Sequence, residues 1–151
     1  MTTNLEAAPA ATNGKPPTAD KLSIVMFSGT ADKFIPLGVL AQAAAVMATD
    51  VRVFVTGFAL LGFTKQHHDL PFPAELASMA SALTQGMKQT HVPSWDKMLA
   101  EARGFGAKVY ACSMMAGVMG LKKDDFNELI DDVVGAATFL QEAVGGQTLF
   151  I

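Results

Sequence analysis

Apolar residues in this chain come in short blocks, separated by stretches with helical spacing. Leu22 to Ser28 is a mostly apolar run that stops at Gly29, the pattern of a strand covered on both faces. Beyond it, Leu37, Leu40, Ala41, Ala44, Ala45 and Ala48 follow the three-and-four spacing of an amphipathic helix. Asp32 is its expected cap, Pro36 is tolerable only in its first turn, and it should end near Asp50. Val51 to Thr56 is β-branched and aromatic and stops at Gly57, so a second strand follows. Strand, helix and strand in succession imply a parallel crossover.

The alternation continues to the end of the chain. Thr64 to Pro73 holds Gln66, two histidines, Asp69 and two prolines, and reads as a polar loop that serves as a lid or an insertion. Ala74 to Met87 is expected to be helical, with Leu76, Met79, Ala80 and Leu83 on one side. Ser94 caps a helix running through Arg103, in which Trp95, Met98, Leu99 and Ala102 share a face, and Gly104 and Gly106 end it. Lys108 to Cys112 is the third strand. Ser113 to Gly120 reads as broken, with a helix near Lys122 to Ile130 after it. Val133-Val134 is a short strand, Ala136 to Val144 a helix, Gly145-Gly146 a turn and Thr148 to Ile151 the last strand. Strands apolar nearly throughout, alternating with helices, predict an α/β fold of three layers, α/β/α, around a mostly parallel sheet of about five strands.

Composition narrows the class. With 151 residues, half of them apolar and 17% charged, the chain has material for one core and one domain, expected over residues 21–151. Residues 1–20 are rich in Thr, Asn, Ala and Pro and predict a disordered tail. They lack the apolar stretch of a secretory signal, which points to the cytoplasm. Val51 to Phe63 is the longest apolar region elsewhere, and it is too short for the roughly 20 residues that a membrane span needs. A formal charge of -3 without a basic run argues against nucleic acid as a partner. The single cysteine excludes an intramolecular disulfide and any zinc site of the CxxC kind, and fits a reducing compartment.

That cysteine is the leading candidate for chemistry. Ligands and reactive groups in open parallel sheets gather at the carboxyl ends of strands, and Cys112 ends the third one. If Ser113 to Ala116 begins a helical segment, its free N–H groups favour a thiolate, which makes Cys112 a nucleophile. A modest shift suffices, because a thiol of pKa about 8.5 is about 3% ionised at pH 7, and one of pKa about 6 is about 90% ionised. The competing reading is a small, buried, inert side chain in a non-catalytic binding subunit. His67, His68 and Asp69, with His91 far off in sequence, have no spacing that defines a metal geometry, so no metal site is assigned. A flavodoxin-like cofactor binder is the other doubly wound option. The chain has no GxGxxG or GxxxxGK[ST] motif, Gly29 alone supports it weakly, and no cofactor is assigned.

The residues around the cysteine carry a likeness. Tyr110-Ala111-Cys112-Ser113-Met114-Met115-Ala116-Gly117-Val118-Met119-Gly120-Leu121-Lys122-Lys123-Asp124-Asp125 resembles the cysteine segment of the DsrE/DsrF-like (DsrE/DsrF/TusD-type) family. Phe27 to Lys33 and Gly135 to Ala143 resemble the same family, so the likeness spans about Lys21 to Ile151. The resemblance implies a small cytoplasmic α/β protein that holds sulfur on Cys112, as a persulfide or thiosulfonate, and passes it to another thiol. It also implies a homo-oligomer that exchanges sulfur with TusA-like or rhodanese-like partners. The chain departs from the pattern at Met115-Ala116, where family members often carry Ser and Asp or another polar residue. Ser113, Met114, Met115 and Met119 are candidate linings of the sulfur site, and Lys33 is a candidate for steadying an anionic sulfur group.

Overall fold

Alternate side chains of each strand point to opposite faces of the sheet, and in this chain both sets are largely apolar. The computed structural model describes residues 21–66 and 69–151. The expected tail over 1–20, and His67 and His68, lie outside the described residues. β1 (Lys21–Met26), β2 (Asp50–Val55), β3 (Lys108–Cys112), β4 (Asp132–Val134) and β5 (Gln147–Phe150) form one sheet in the order β4-β3-β2-β1-β5. All neighbouring pairs are parallel, with Ile24 beside Val53 and Leu149, and Val55 beside Ala111. The expected three-layer α/β/α fold is the one observed.

The two faces are covered unequally. Leu22, Ile24, Met26, Val51, Val53, Val55, Val109 and Ala111 pack beneath α1 (Ala31–Val46) and α3 (Trp95–Gly104), which supply Phe34, Leu37, Ala41, Leu99 and Ala102. Phe34, Phe63 and Trp95 close this layer with ring centroids 4.6–5.8 Å apart. On the opposite face lie Val25, Phe54, Tyr110, Cys112 and Val134, covered by α5 (Ala136–Ala143) through Phe139 and Ala143.

Several elements differ from the sequence expectation. α1 is capped at Thr30, not Asp32, and Pro36 stands at its sixth position, beyond the first turn. That removes one rung, the N–H that would reach the Asp32 carbonyl, and burial of Phe34, Leu37 and Ala41 offsets the loss. Leu40 of the expected apolar stripe is exposed and Ala48 lies past the helix end. Gly57–Phe63, read as the tail of an apolar block, is a 3₁₀ segment whose Ala59, Leu60 and Phe63 are buried. The expected broken segment Ser113 to Gly120 contains a helix, α4 (Ser113–Val118).

The helix expected near Lys122 to Ile130 is not formed. Only Lys123–Asp125 makes a 3₁₀ turn, because the chain there is recruited to a bridge between Thr64 and Phe126. The Asn127 N–H donates to the Phe63 carbonyl (2.8 Å) and the Lys65 N–H to the Asp125 carbonyl (2.8 Å). Long-range partners take the backbone groups that a helix would have used. The loop after Thr64 is tied as well, since the Ala31 N–H donates to the Pro71 carbonyl at 2.9 Å and Leu70 packs on the core. α2 (Ala77–Gln89) has the predicted amphipathic face, yet Leu76, Met79 and Leu83 beside and along it are exposed.

Helix ends show how local chemistry directs the chain. After α1, the Thr49 N–H donates to the Ala44 carbonyl and the Ala48 N–H to the Ala45 carbonyl, which is a Schellman closure. The same bonds close α2 at His91, α3 at Gly106 and α4 at Gly120. The closing residue needs a positive φ, which suits Gly106 and Gly120, but Ala48 (φ 60°) and His91 (φ 57°) adopt it with a Cβ. The α3 end is also held by Asp131, which accepts from Arg103 at 2.6 and 3.3 Å and from the Val109 N–H at 2.8 Å. Burial alone would raise the Asp131 pKa, but Arg103, the Val109 N–H and Lys108 outweigh it and hold the carboxyl below its usual value.

Ala48→Gly is expected to stabilise the protein by about 1 kcal/mol, because it relieves a left-handed backbone at an L-residue, read as a higher midpoint in thermal unfolding. Asp131→Ala should cost about 1–3 kcal/mol near neutral pH. A carboxyl with a depressed folded pKa contributes above its unfolded pKa of about 3.9 and loses that contribution as pH falls through the folded value. Urea titrations of the two chains should therefore differ at pH 7 and converge at acid pH.

Candidate functional site

Cys112 is the last residue of β3, paired with Val134 of β4, and it is the residue from which α4 starts. Its backbone is extended (φ -68°, ψ 116°), so the chain turns from strand to helix at the cysteine itself. Strand alternation sends its side chain to the face covered by α5. There it packs with Phe54, Phe139 and Ala143, and with the partly buried Met115, Tyr110 and Val134. Phe139 stacks on Phe54 with centroids 4.8 Å apart and planes at 17°.

The thiol stands at the carboxyl edge of the sheet, as expected, but the edge is not open. Cys112 is 3% exposed, and the cover over its face of the sheet is a helix of eight residues. That helix is pinned at two points. Phe139 sits on Phe54, and one turn on, Glu142 accepts from the Tyr110 hydroxyl at 3.0 Å and pairs with Arg52 at 3.3 Å. Arg52 also pairs with Asp50 at 3.1 Å. Burial, and then the hydrogen bond and charge of Glu142, raise the Tyr110 pKa, so the hydroxyl keeps the proton that it donates.

The other candidate residues divide. Met115 is partly buried and touches the clusters on both sides of the sheet, so it does lie against the Cys112 group. Met119 packs instead on the core beneath α1 and α3. Met114 (69% exposed) and Ser113 lie at the surface. Lys33 is in the first turn of α1, on the helix that covers the opposite face, and pairs with Asp32 at 3.5 Å. No hydrogen bond or ion pair among the described residues joins it to the cysteine's surroundings. His91 closes α2, Asp69 is exposed, and among the described residues no three His, Cys, Asp or Glu side chains converge as a metal site would need. Phe54, Phe139, Tyr110, Arg52 and Glu142 were not singled out by sequence. The readable signal was Phe139 with Glu142 three residues on, one aromatic and one carboxylate on the same side of a predicted helix.

Comparison with known proteins identifies the family and the fold. Residues 73–150, which include β3, the cysteine turn, α5 and β5, match the DsrE/DsrF/DrsH-like family. The chain belongs to that family. A DsrE/DsrF/DrsH-like chain of this kind is similar to the uncharacterised protein YrkE of Bacillus subtilis (strain 168), at 28% identity over 157 aligned positions that cover 87% of this chain and 96% of YrkE. Among solved structures it is similar in fold to ychN from E. coli (TM-score 0.56, 12% identity, 87% of this chain and 98% of that one). It is also similar to MTH1491 of Methanobacterium thermoautotrophicum, a protein of unknown function (TM-score 0.53, 15% identity, 87% and 98% covered). At these identities the structural likeness shows the fold.

α5 supplies Phe139 and Ala143 to the buried group that contains Cys112. Phe139→Leu, which keeps an apolar core residue at a cost of about 1 kcal/mol, is expected to speed alkylation of native Cys112 by iodoacetamide about threefold or more. An unchanged rate in a folded variant would show that the barrier lies elsewhere.

Proposed function

We propose that the protein is a cytoplasmic sulfur carrier that holds sulfane sulfur on Cys112 and hands it to a partner thiol. The observation that carries this reading is the position of the thiol: at the carboxyl end of a parallel strand, under one short helix, in a chain of the DsrE/DsrF/DrsH-like family. Sulfur transfer needs a thiolate that is reachable on occasion and a place where the bound sulfur is sheltered from stray reductants. The apolar packing of Phe54, Phe139 and Met115 around the cysteine's group supports this reading, as a shelter of that kind.

The exchange conserves electrons. The Cys112 thiolate attacks the outer sulfur of a donor persulfide, the donor's S–S bond breaks, and the donor leaves as a thiolate. A partner thiolate then attacks the outer sulfur of the Cys112 persulfide and regenerates the cysteine. With one cysteine in the chain, the accepting thiol belongs to another molecule, for which a TusA-like or rhodanese-like protein is the proposed class. Self-association into a homo-oligomer goes with this reading, since Leu140 and Val144 on and after α5 and Phe150 on β5 are exposed. Burial of Cys112 at 3% exposure favours a second reading, a non-catalytic binding subunit with an inert thiol.

One experiment separates the two. After incubation with a persulfide donor, mass spectrometry of the native chain should show an added sulfur confined to Cys112, removed by dithiothreitol and absent from Cys112→Ser. A native chain that takes up no sulfur, while its denatured form does, supports the inert subunit and overturns the carrier.

A further inference from the structure

The segment that joins β1 to α1, Phe27 to Thr30, is not used by the cysteine site. It lines a cleft of about 440 Å³ at the carboxyl end of β1. The cleft lies where the segments that leave β1 and β2 meet beside Asp69 to Pro71, at the carboxyl edge of the sheet. Ligands of open parallel sheets bind outside the carboxyl ends of the strands, which is the edge this cleft occupies. The volume lies in the range of a small-molecule pocket.

The cleft is built by close approach. A Cβ on Gly29 would lie 2.8 Å from the Phe58 carbonyl oxygen, and one on Gly57 would lie 2.5 Å from the Phe27 ring. Two glycines therefore bring the Phe27 loop and the 3₁₀ segment together and set the Phe27 and Phe58 rings edge to face, 6.1 Å apart at 78°. Leu61 and Leu70 complete apolar walls, and Phe58 is 61% exposed. The N–H groups of Gly29 and Thr30 have no acceptor among the described residues, whereas the neighbouring Ser28 and Ala31 N–H groups are bonded to the carbonyls of Ile151 and Pro71. Asp69 stands on the rim as a carboxylate.

We propose that this cleft binds a flat, uncharged aromatic molecule bearing a carbonyl group. The aromatic and leucine walls suit a ring, by stacking or edge contact. Apolar walls make burial of a charge expensive, and the Asp69 carboxylate repels an anion. The two N–H groups, on half-buried residues without an acceptor among the described residues, can donate to a carbonyl oxygen of the ligand. The site is separate from the Cys112 cluster and does not depend on sulfur transfer.

Coumarin is a suitable probe, with coumarin-3-carboxylate as its charged analogue, titrated into the full chain and followed by amide NMR and calorimetry. Saturable binding of one coumarin per chain is expected, with shifts at the Gly29 and Thr30 amides and affinity about tenfold weaker for the carboxylate. Phe58→Ala should weaken coumarin about fivefold or more, and Leu61→Lys, at an exposed position, keeps the test open should Phe58→Ala fail to fold. The proposal is overturned by an absence of saturable binding, by equal affinity for the two probes, by shifts confined to other parts of the chain, or by an unchanged affinity in the folded variants. It is equally overturned if sedimentation shows the cleft closed by a second copy, with Leu61→Lys dissociating the assembly and coumarin unbound.

Discussion

A parallel sheet has to be covered on both faces, and this chain meets that requirement unevenly. One face lies under α1 and α3, whose packing with the strands forms the main core. The other is covered by the eight residues of α5, and there the buried set shrinks to Phe54, Cys112, Phe139 and Ala143. The rest of the site follows from this asymmetry. In the proposed carrier, a thiol beneath this short helix would be reached by a local opening, which costs less free energy than global unfolding. The same thin layer leaves Leu140, Val144 and Phe150 in contact with solvent.

The polar contacts around α5 make sense in that setting. Glu142 reaches both Tyr110 and Arg52, so the end of the helix away from the cysteine is tied by hydrogen bond and charge, while the cysteine end is held by aromatic stacking. Stacking of this kind adds about 0.5–1.5 kcal/mol to what the burial of Phe54 and Phe139 contributes. Asp131 plays a comparable part on the other side of β3, where it ties the end of α3 to the start of the strand that carries the cysteine. The β3 strand is thereby held at its beginning by a charged pair and at its end by the α4 turn.

Much of the architecture was legible because its signals are local. The runs Leu22 to Ser28, Val51 to Thr56 and Lys108 to Cys112 mark β1, β2 and β3 to within a residue or two, since a strand covered on both faces is written as a short, nearly continuous apolar run. α3 was readable from Ser94 and the Trp95, Met98, Leu99, Ala102 spacing. The failures share a cause. Lys122 to Ile130 has helical composition, but Thr64, Lys65 and Phe63, some sixty residues earlier, compete for its backbone groups. The methionines behind Cys112 also have ordinary helical spacing, and nothing in that spacing told that Met115 would face the cysteine, Met119 the opposite core and Met114 the solvent.

By itself, then, the sequence determined the class of fold, the succession of its five strands, the family likeness of the cysteine segment and the place of the thiol at a strand end, because each is encoded by neighbours along the chain. Only the tertiary structure decided that Phe139 closes over Cys112, that Lys33 sits on the other side of the sheet, and that Phe27 and Phe58 frame a cleft. Those outcomes depend on which distant surfaces meet, and burial is a property of the pair of surfaces, not of either segment alone.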